Sequence, residues 1–115
     1  MSLFRYKARV VAVYDGDTIT ADVDLGFNIT IREKFRLYGI DTPEIRTKDK
    51  REKEKGLTVR QYVIDKILDD YIEIESKEKG KYGRYLAVVY YCGGKNLNKE
   101  LIKLGMGKEY YGGKR

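Results

Sequence analysis

A chain of 115 residues, 42% hydrophobic and 37% charged, is sized for one domain around one core and is too polar for a membrane span. Its 24 lysines and arginines against 18 aspartates and glutamates leave a net charge of +6, a balance that favours polyanionic partners such as nucleic acid and equally serves ordinary solubility. Histidine is absent, which removes the usual general base, the commonest zinc ligand and the histidine-containing nucleophile triads. Any metal site must therefore be built from oxygen ligands and suits a hard cation such as calcium or magnesium.

Arg5, Lys7 and Arg9 interrupt the first ten residues, so no export signal is expected there. Residues 8–14 read as a first strand, joined by the turn signal Asp15-Gly16-Asp17 to a second over 18–25. In that second strand Ile19, Ala21, Val23 and Leu25 alternate with Thr18, Thr20, Asp22 and Asp24, the period of a half-buried strand. Ile29 and Ile31 continue the alternation after a break at Gly26 and Phe27, and Phe35, Leu37 and Ile40 carry the third strand of a meander.

The run "TKDKREKEK" over residues 47–55 is too polar to pack and predicts a mobile basic loop. Thr58 then caps a helix in which Val59, Tyr62, Val63 and Ile67 recur at helical spacing, ending near Asp69 and Asp70. A fourth strand over 71–75 turns Ile72 and Ile74 inward, and "KEKGKYGR" over 77–84 reads as a glycine-punctuated basic hairpin leading into the strand "YLAVVYY". The single Cys92 excludes an internal disulfide and stands where a small buried residue fits. A short helix over 98–104, with Leu97, Leu101 and Leu104 along one face, is closed by Gly105. Five strands with a helix between the third and fourth and another at the end predict a mainly β fold, a five-stranded antiparallel Greek-key barrel of the OB type forming a single domain over 1–115.

In such a barrel "DGDT", "RLYGIDTPE" and "KYGR" converge, bringing together Asp15, Asp17, Arg36, Asp41, Thr42, Glu44 and Arg84. Asp17, Asp41 and the Thr42 carbonyl are oxygen ligands suited to calcium, with Asp15 placed to orient them or their waters. Asp-Gly is also an ordinary hairpin turn, and that reading stands beside the first. Pro43 stiffens the backbone so that Glu44 points in a defined direction; without histidine, it is the natural base for activating a water, unless it only opens a charged loop. The guanidinium forks of Arg36 and Arg84 suit the two sides of a phosphate, where each contributes on the order of a hundredfold in rate; surface ion pairs are the alternative. Eleven tyrosines offer faces for stacking on bases, though most serve packing.

Taken together and in order, "DGDT", "RLYGIDTPE", "KYGRYLA" and "NLNKELIKLGMGKEYY" resemble the staphylococcal nuclease (thermonuclease) family over nearly the whole chain. The resemblance implies an OB-type barrel, Ca2+ ligands at Asp17, Asp41 and the Thr42 carbonyl, a general base at Glu44 and catalytic arginines at Arg36 and Arg84. It further implies phosphate contacts from Lys81 and Tyr82 and a base-side tyrosine at Tyr111. The implied activity is endonucleolytic cleavage of DNA and RNA, single-stranded or denatured, to 3'-phosphates by a monomer. Two departures stand out: Gly80 occupies a position where an aspartate often precedes "KYGR", and "GLTV" over 56–59 replaces a "GPEA"-like helix start, which reads as a change of capping. Rival readings are a non-catalytic OB-fold module for single-stranded nucleic acid and an interaction domain with a structural calcium site.

Overall fold

The computed structural model describes residues 4–79 and 84–111. Its element order is β1 (Arg5–Asp15), β2 (Thr18–Asp24), β3 (Thr30–Leu37), β4 (Ile40–Asp41), α1 (Lys50–Ile67), β5 (Tyr71–Lys79), β6 (Tyr85–Tyr91), β7 (Lys95–Asn96), α2 (Leu97–Lys103) and β8 (Lys108–Glu109). The five long strands lie in the order β3-β2-β1-β5-β6, and a pairing of β3 with β6 closes them into a barrel.

The four other pairings of long strands are antiparallel, but the closing one is parallel, matching Phe35 to Tyr85, Arg36 to Leu86 and Leu37 to Ala87. An odd number of strands that alternate in direction must meet in parallel at the seam, so the expected all-antiparallel barrel is a mixed one. β1 serves two neighbours, pairing its first half with β5 and most of its length with β2. Its register slips between Val10 and Ala12 and between Val13 and Asp15, irregularities of the kind that bend a strand round a small barrel.

Alternation fills the interior as expected with Ile19, Ala21 and Val23 from β2, Phe35 and Leu37 from β3, and Ile72 and Ile74 from β5, while β6 buries three consecutive residues, Ala87, Val88 and Val89. Alternation fails at the β2–β3 hairpin, where Leu25, Phe27, Ile29 and Ile31 are exposed. That hairpin tip carries Gly26, Phe27 and Asn28 at positive φ and extends past the barrel core.

The helix begins eight residues before its expected cap. Asp49 is the N-cap, its carboxylate accepting from the amides of Arg51 and Glu52, while Thr58 lies mid-helix and donates to the Glu54 carbonyl. Most of the charged run is therefore the solvent side of α1, not a loop. Val59, Val63 and Ile67 recur every fourth residue and are buried against the barrel, each worth roughly 1.5–3 kcal/mol. On the same helix Arg60 Nε donates to the Val13 carbonyl at 3.0 Å, beside the second register slip of β1.

α2 buries Leu97 and Leu101 and leaves Leu104 exposed, one residue short of the expected apolar face; Gly105, at φ 74°, follows as predicted. Glu100 ties this helix to both α1 and β6 by accepting 2.6 Å hydrogen bonds from the Tyr62 and Tyr91 hydroxyls. Desolvation pushes the Glu100 carboxyl up, but the two phenol bonds and the charges of Lys66 and Lys95 outweigh it and hold it below its ordinary value. Burial, then the bond to Glu100, pushes the Tyr91 phenol up. Cys92 is exposed at φ 47° in the turn after β6, so the expected buried position is corrected. Among the described residues no helix is long and apolar enough to cross a membrane.

Candidate active site

The turn between β1 and β2 places Asp17 at the end of the barrel, 6% exposed, and secures it on three sides. Its Oδ1 accepts from Thr18 Oγ1 at 3.0 Å, its Oδ2 accepts from the Thr42 amide at 3.1 Å, and its carbonyl accepts from the Leu37 amide at 2.8 Å. Gly16 is not in the left-handed region, so the turn does not need glycine for its φ. It needs glycine for space, since a Cβ there would lie 2.4 Å from Val59 Cγ1 and 3.3 Å from the Thr42 side chain. The "DGD" signal is thus both a hairpin turn and the contact point between the turn, α1 and the loop after β4.

Arg36, opposite Thr18 in the β2–β3 register, turns its guanidinium into the same corner. Nη2 donates to Asp41 Oδ1 at 3.1 Å and to the Ile40 carbonyl at 3.3 Å, and lies 3.6 Å from Asp17 Oδ2. Two carboxylates separated by 24 positions in sequence therefore share one cation. Tyr110 covers the guanidinium from above, its ring centroid 5.1 Å from Cζ. Pairing of β4 with β8 puts Tyr110 there, aligning Ile40 with Glu109 and Asp41 with Lys108, and the Tyr110 amide donates to the Gly39 carbonyl.

Asp15 and Glu44 flank this cluster. Burial is the main cause that raises the Asp15 carboxyl above its ordinary value; the nearby charges of Asp17 and Glu44 add to it, and Arg46 and Lys34 oppose it. Glu44 itself is exposed on the loop after β4. Arg84 stands immediately before Tyr85, the register partner of Phe35, partly buried and with no ion pair among the described residues. Tyr111 is 67% exposed and sets its ring edge-on to Tyr38 with centroids 5.4 Å apart. Gly39, at φ 78°, admits that ring, because a Cβ would lie 2.9 Å from Tyr111 Cε1. Lys81 and Tyr82, with Gly80, lie outside the described residues.

The donor set fits a hard cation. Its side chains are carboxylates and a hydroxyl, with no nitrogen or sulfur ligand, and Thr42 Oγ1 is buried with no hydrogen-bond partner, an unpaired atom that ordinarily costs about 1–3 kcal/mol. Among the described residues no three acidic or cysteine side chains close a cage by themselves, so a cation here would complete its shell with backbone oxygen and water.

Gly56 is the supporting residue that sequence reading missed, taking "GLTV" for a helix start. It lies in the middle of α1, buried, where a Cβ would come within 2.8 Å of the Pro43 carbonyl and 3.0 Å of the Glu44 carbonyl. Glycine lets the helix seat the backbone that presents Glu44. Helix propensity alone predicts that Gly56→Ala stabilises by up to about 1 kcal/mol, whereas the contact predicts a loss of about 1–3 kcal/mol. A lowered denaturation midpoint is the expected result, and a raised midpoint would remove Gly56 from this role.

Residues 34–115 match the family described as staphylococcal nuclease homologue. The chain is 35% identical to a micrococcal nuclease of Shigella flexneri, the alignment covering 93% of this chain and 61% of that protein. It is 35% identical to an uncharacterized endonuclease of Haemophilus influenzae, covering 89% and 51% respectively. An uncharacterized protein of Methanocaldococcus jannaschii is 32% identical over 91% of this chain and 59% of its own length. The chain thus spans between about half and three fifths of the length of these relatives.

Proposed function

Because the chain belongs to the staphylococcal nuclease homologue family, we propose that it is a calcium-dependent nuclease that hydrolyses phosphodiester bonds of DNA and RNA endonucleolytically, leaving 3'-phosphates. The observation that carries this reading is the buried corner in which Asp17 and Asp41 share the Arg36 guanidinium beside the orphaned Thr42 hydroxyl. A barrel that only binds a polyanion gains nothing from carboxylates that repel phosphate.

In the proposed reaction Asp17, Asp41 and the Thr42 carbonyl would hold Ca2+, with Asp15 orienting these ligands, and the ion would supply positive charge to offset that of the phosphoryl group. Glu44 takes a proton from the attacking water. The guanidinium groups of Arg36 and Arg84 donate to the equatorial oxygens as charge builds up on phosphorus. Lys81 and Tyr82 contact phosphate and Tyr111 stacks beside a base, which favours single-stranded or denatured substrate. The net charge of +6 contributes affinity without reading sequence, and the protein works as a monomer.

The test is cleavage of denatured DNA and of RNA by purified protein with added calcium and with EDTA. Cleavage with calcium to 3'-phosphate ends, abolished by EDTA, is the expected result. Binding that weakens with salt but never leads to cleavage would replace this reading with a non-catalytic OB-fold module for single-stranded nucleic acid.

A further inference from the structure

The proposed metal ligands and Arg36 make competing use of the same atoms. The Arg36 side chain is 12% exposed and those of Asp17 and Asp41 are 9% and 25% exposed, so little water intervenes to screen their interaction. One nitrogen, Nη2, lies within 3.6 Å of Asp17 Oδ2 and 3.1 Å of Asp41 Oδ1. Asp17 Oδ2 also accepts from the Thr42 amide, and Oδ1 is engaged by Thr18. A cation that takes oxygens from both aspartates must therefore displace the guanidinium or bear its repulsion at close range in a corner that water only partly reaches.

We infer that Arg36 is an intramolecular competitor for the divalent cation, and that cation binding at Asp17 and Asp41 drives its guanidinium off the two carboxylates. This rests on the proposed site. Its physical basis is charge: two carboxylates sharing one guanidinium present a net charge of −1 to an incoming ion, and without the guanidinium they present −2. The released fork keeps the Tyr110 ring as a face to lie against, 5.1 Å from Cζ. Its donors then become available for an anionic substrate, so cation and phosphate would be coupled through one side chain. Arg36 in this role sets affinity as well as meeting substrate. A role in holding the two aspartates in place for the cation makes the opposite prediction, that its loss weakens the site.

The experiment is isothermal titration calorimetry with calcium chloride and no nucleic acid, on wild type, Arg36→Met and Arg36→Lys. Competition predicts that Arg36→Met binds calcium at least about tenfold more tightly than wild type. Arg36→Lys falls between them, because its ammonium keeps the charge but sits on a shorter side chain and is more strongly hydrated, so it approaches the two carboxylates less closely than Nη2 does. Equal or weaker binding by Arg36→Met, or no binding by any of the three proteins, would overturn the inference. If Arg36→Met does not fold, the guanidinium nitrogen resonances of wild-type Arg36 decide the matter. They must shift with the same midpoint as the calcium titration, and resonances that stay fixed at saturation would equally overturn it. No cleavage is read in either measurement, so an inactive protein leaves the competition testable. Conversely, failed competition leaves calcium-dependent cleavage to be judged by its own test.

Discussion

Glu44→Gln is expected to slow calcium-supported cleavage of denatured DNA by about a hundredfold or more while leaving the thermal midpoint nearly unchanged. Both halves of the expectation follow from where the residue lies. Glu44 is exposed on the loop after β4, outside the core, and substitutions at such positions usually alter stability by no more than about 0.5 kcal/mol. Glutamine keeps the shape and the hydrogen-bonding carbonyl but cannot accept a proton from water. The loop is held by Pro43, by the Thr42 amide bonded to Asp17 and by the Gly56 notch in α1, so the side chain has a defined origin without being buried. Steady-state rates at saturating substrate, measured beside thermal unfolding curves, check it. A variant that retains the wild-type rate would move the base to another group, and Asp15, whose carboxyl burial raises above its ordinary value, would be next to test.

Asn98→Ala is expected to destabilise the fold by about 3 kcal/mol. The side chain is buried in α2 and makes three hydrogen bonds: Oδ1 accepts from the Val89 amide at 3.0 Å, and Nδ2 donates to the Tyr38 carbonyl at 2.8 Å and the Ala87 carbonyl at 3.1 Å. The Ala87 carbonyl keeps the Tyr38 amide as a donor after truncation, but the Val89 amide and the Tyr38 carbonyl lose the partners this amide supplied. Each buried group left unsatisfied costs about 1–3 kcal/mol. Asn98→Asp is expected to be no better, because it keeps the acceptor for Val89 and replaces the donor with an oxygen facing two carbonyls. Denaturant unfolding with an unchanged slope measures the loss, and a loss below about 1 kcal/mol would show that water replaces the amide. Tyr38 lies between Arg36 and Gly39, so this asparagine fastens the segment "RLYGID" to β6 from behind the site.

Asn98 illustrates how the sequence misleads where a role depends on distant partners. In the chain it is one polar residue at the start of a leucine-spaced helix; its three partners lie 9, 60 and 11 positions away. The same holds for Gly16 and Gly56, which read as a turn former and a helix starter. Their reason is the approach of another segment, Val59 and Thr42 in one case and the Pro43 and Glu44 carbonyls in the other. The start of α1 was hidden for a different reason. Residues 50–55 are all charged, and a helical turn exposed to water carries no apolar period to reveal it. Only the cap, Asp49 with its two amide bonds, marks the boundary.

The sequence by itself determined which residues point inward along β2 and β5, because a period of two is a local property of the strand and burial on one face enforces it. It determined also that any cation bound here would meet oxygen ligands, since no histidine is present to compete. Tertiary structure alone decided the parallel seam between β3 and β6, the two-residue pairing of β4 with β8, and the sharing of Arg36 by Asp17 and Asp41. Each of these joins segments whose separation in the chain is bridged only after the barrel closes, and two-residue strands are too short to carry any periodic signal. Closure is the physical step that brings "DGDT" and "RLYGIDTPE" into one corner.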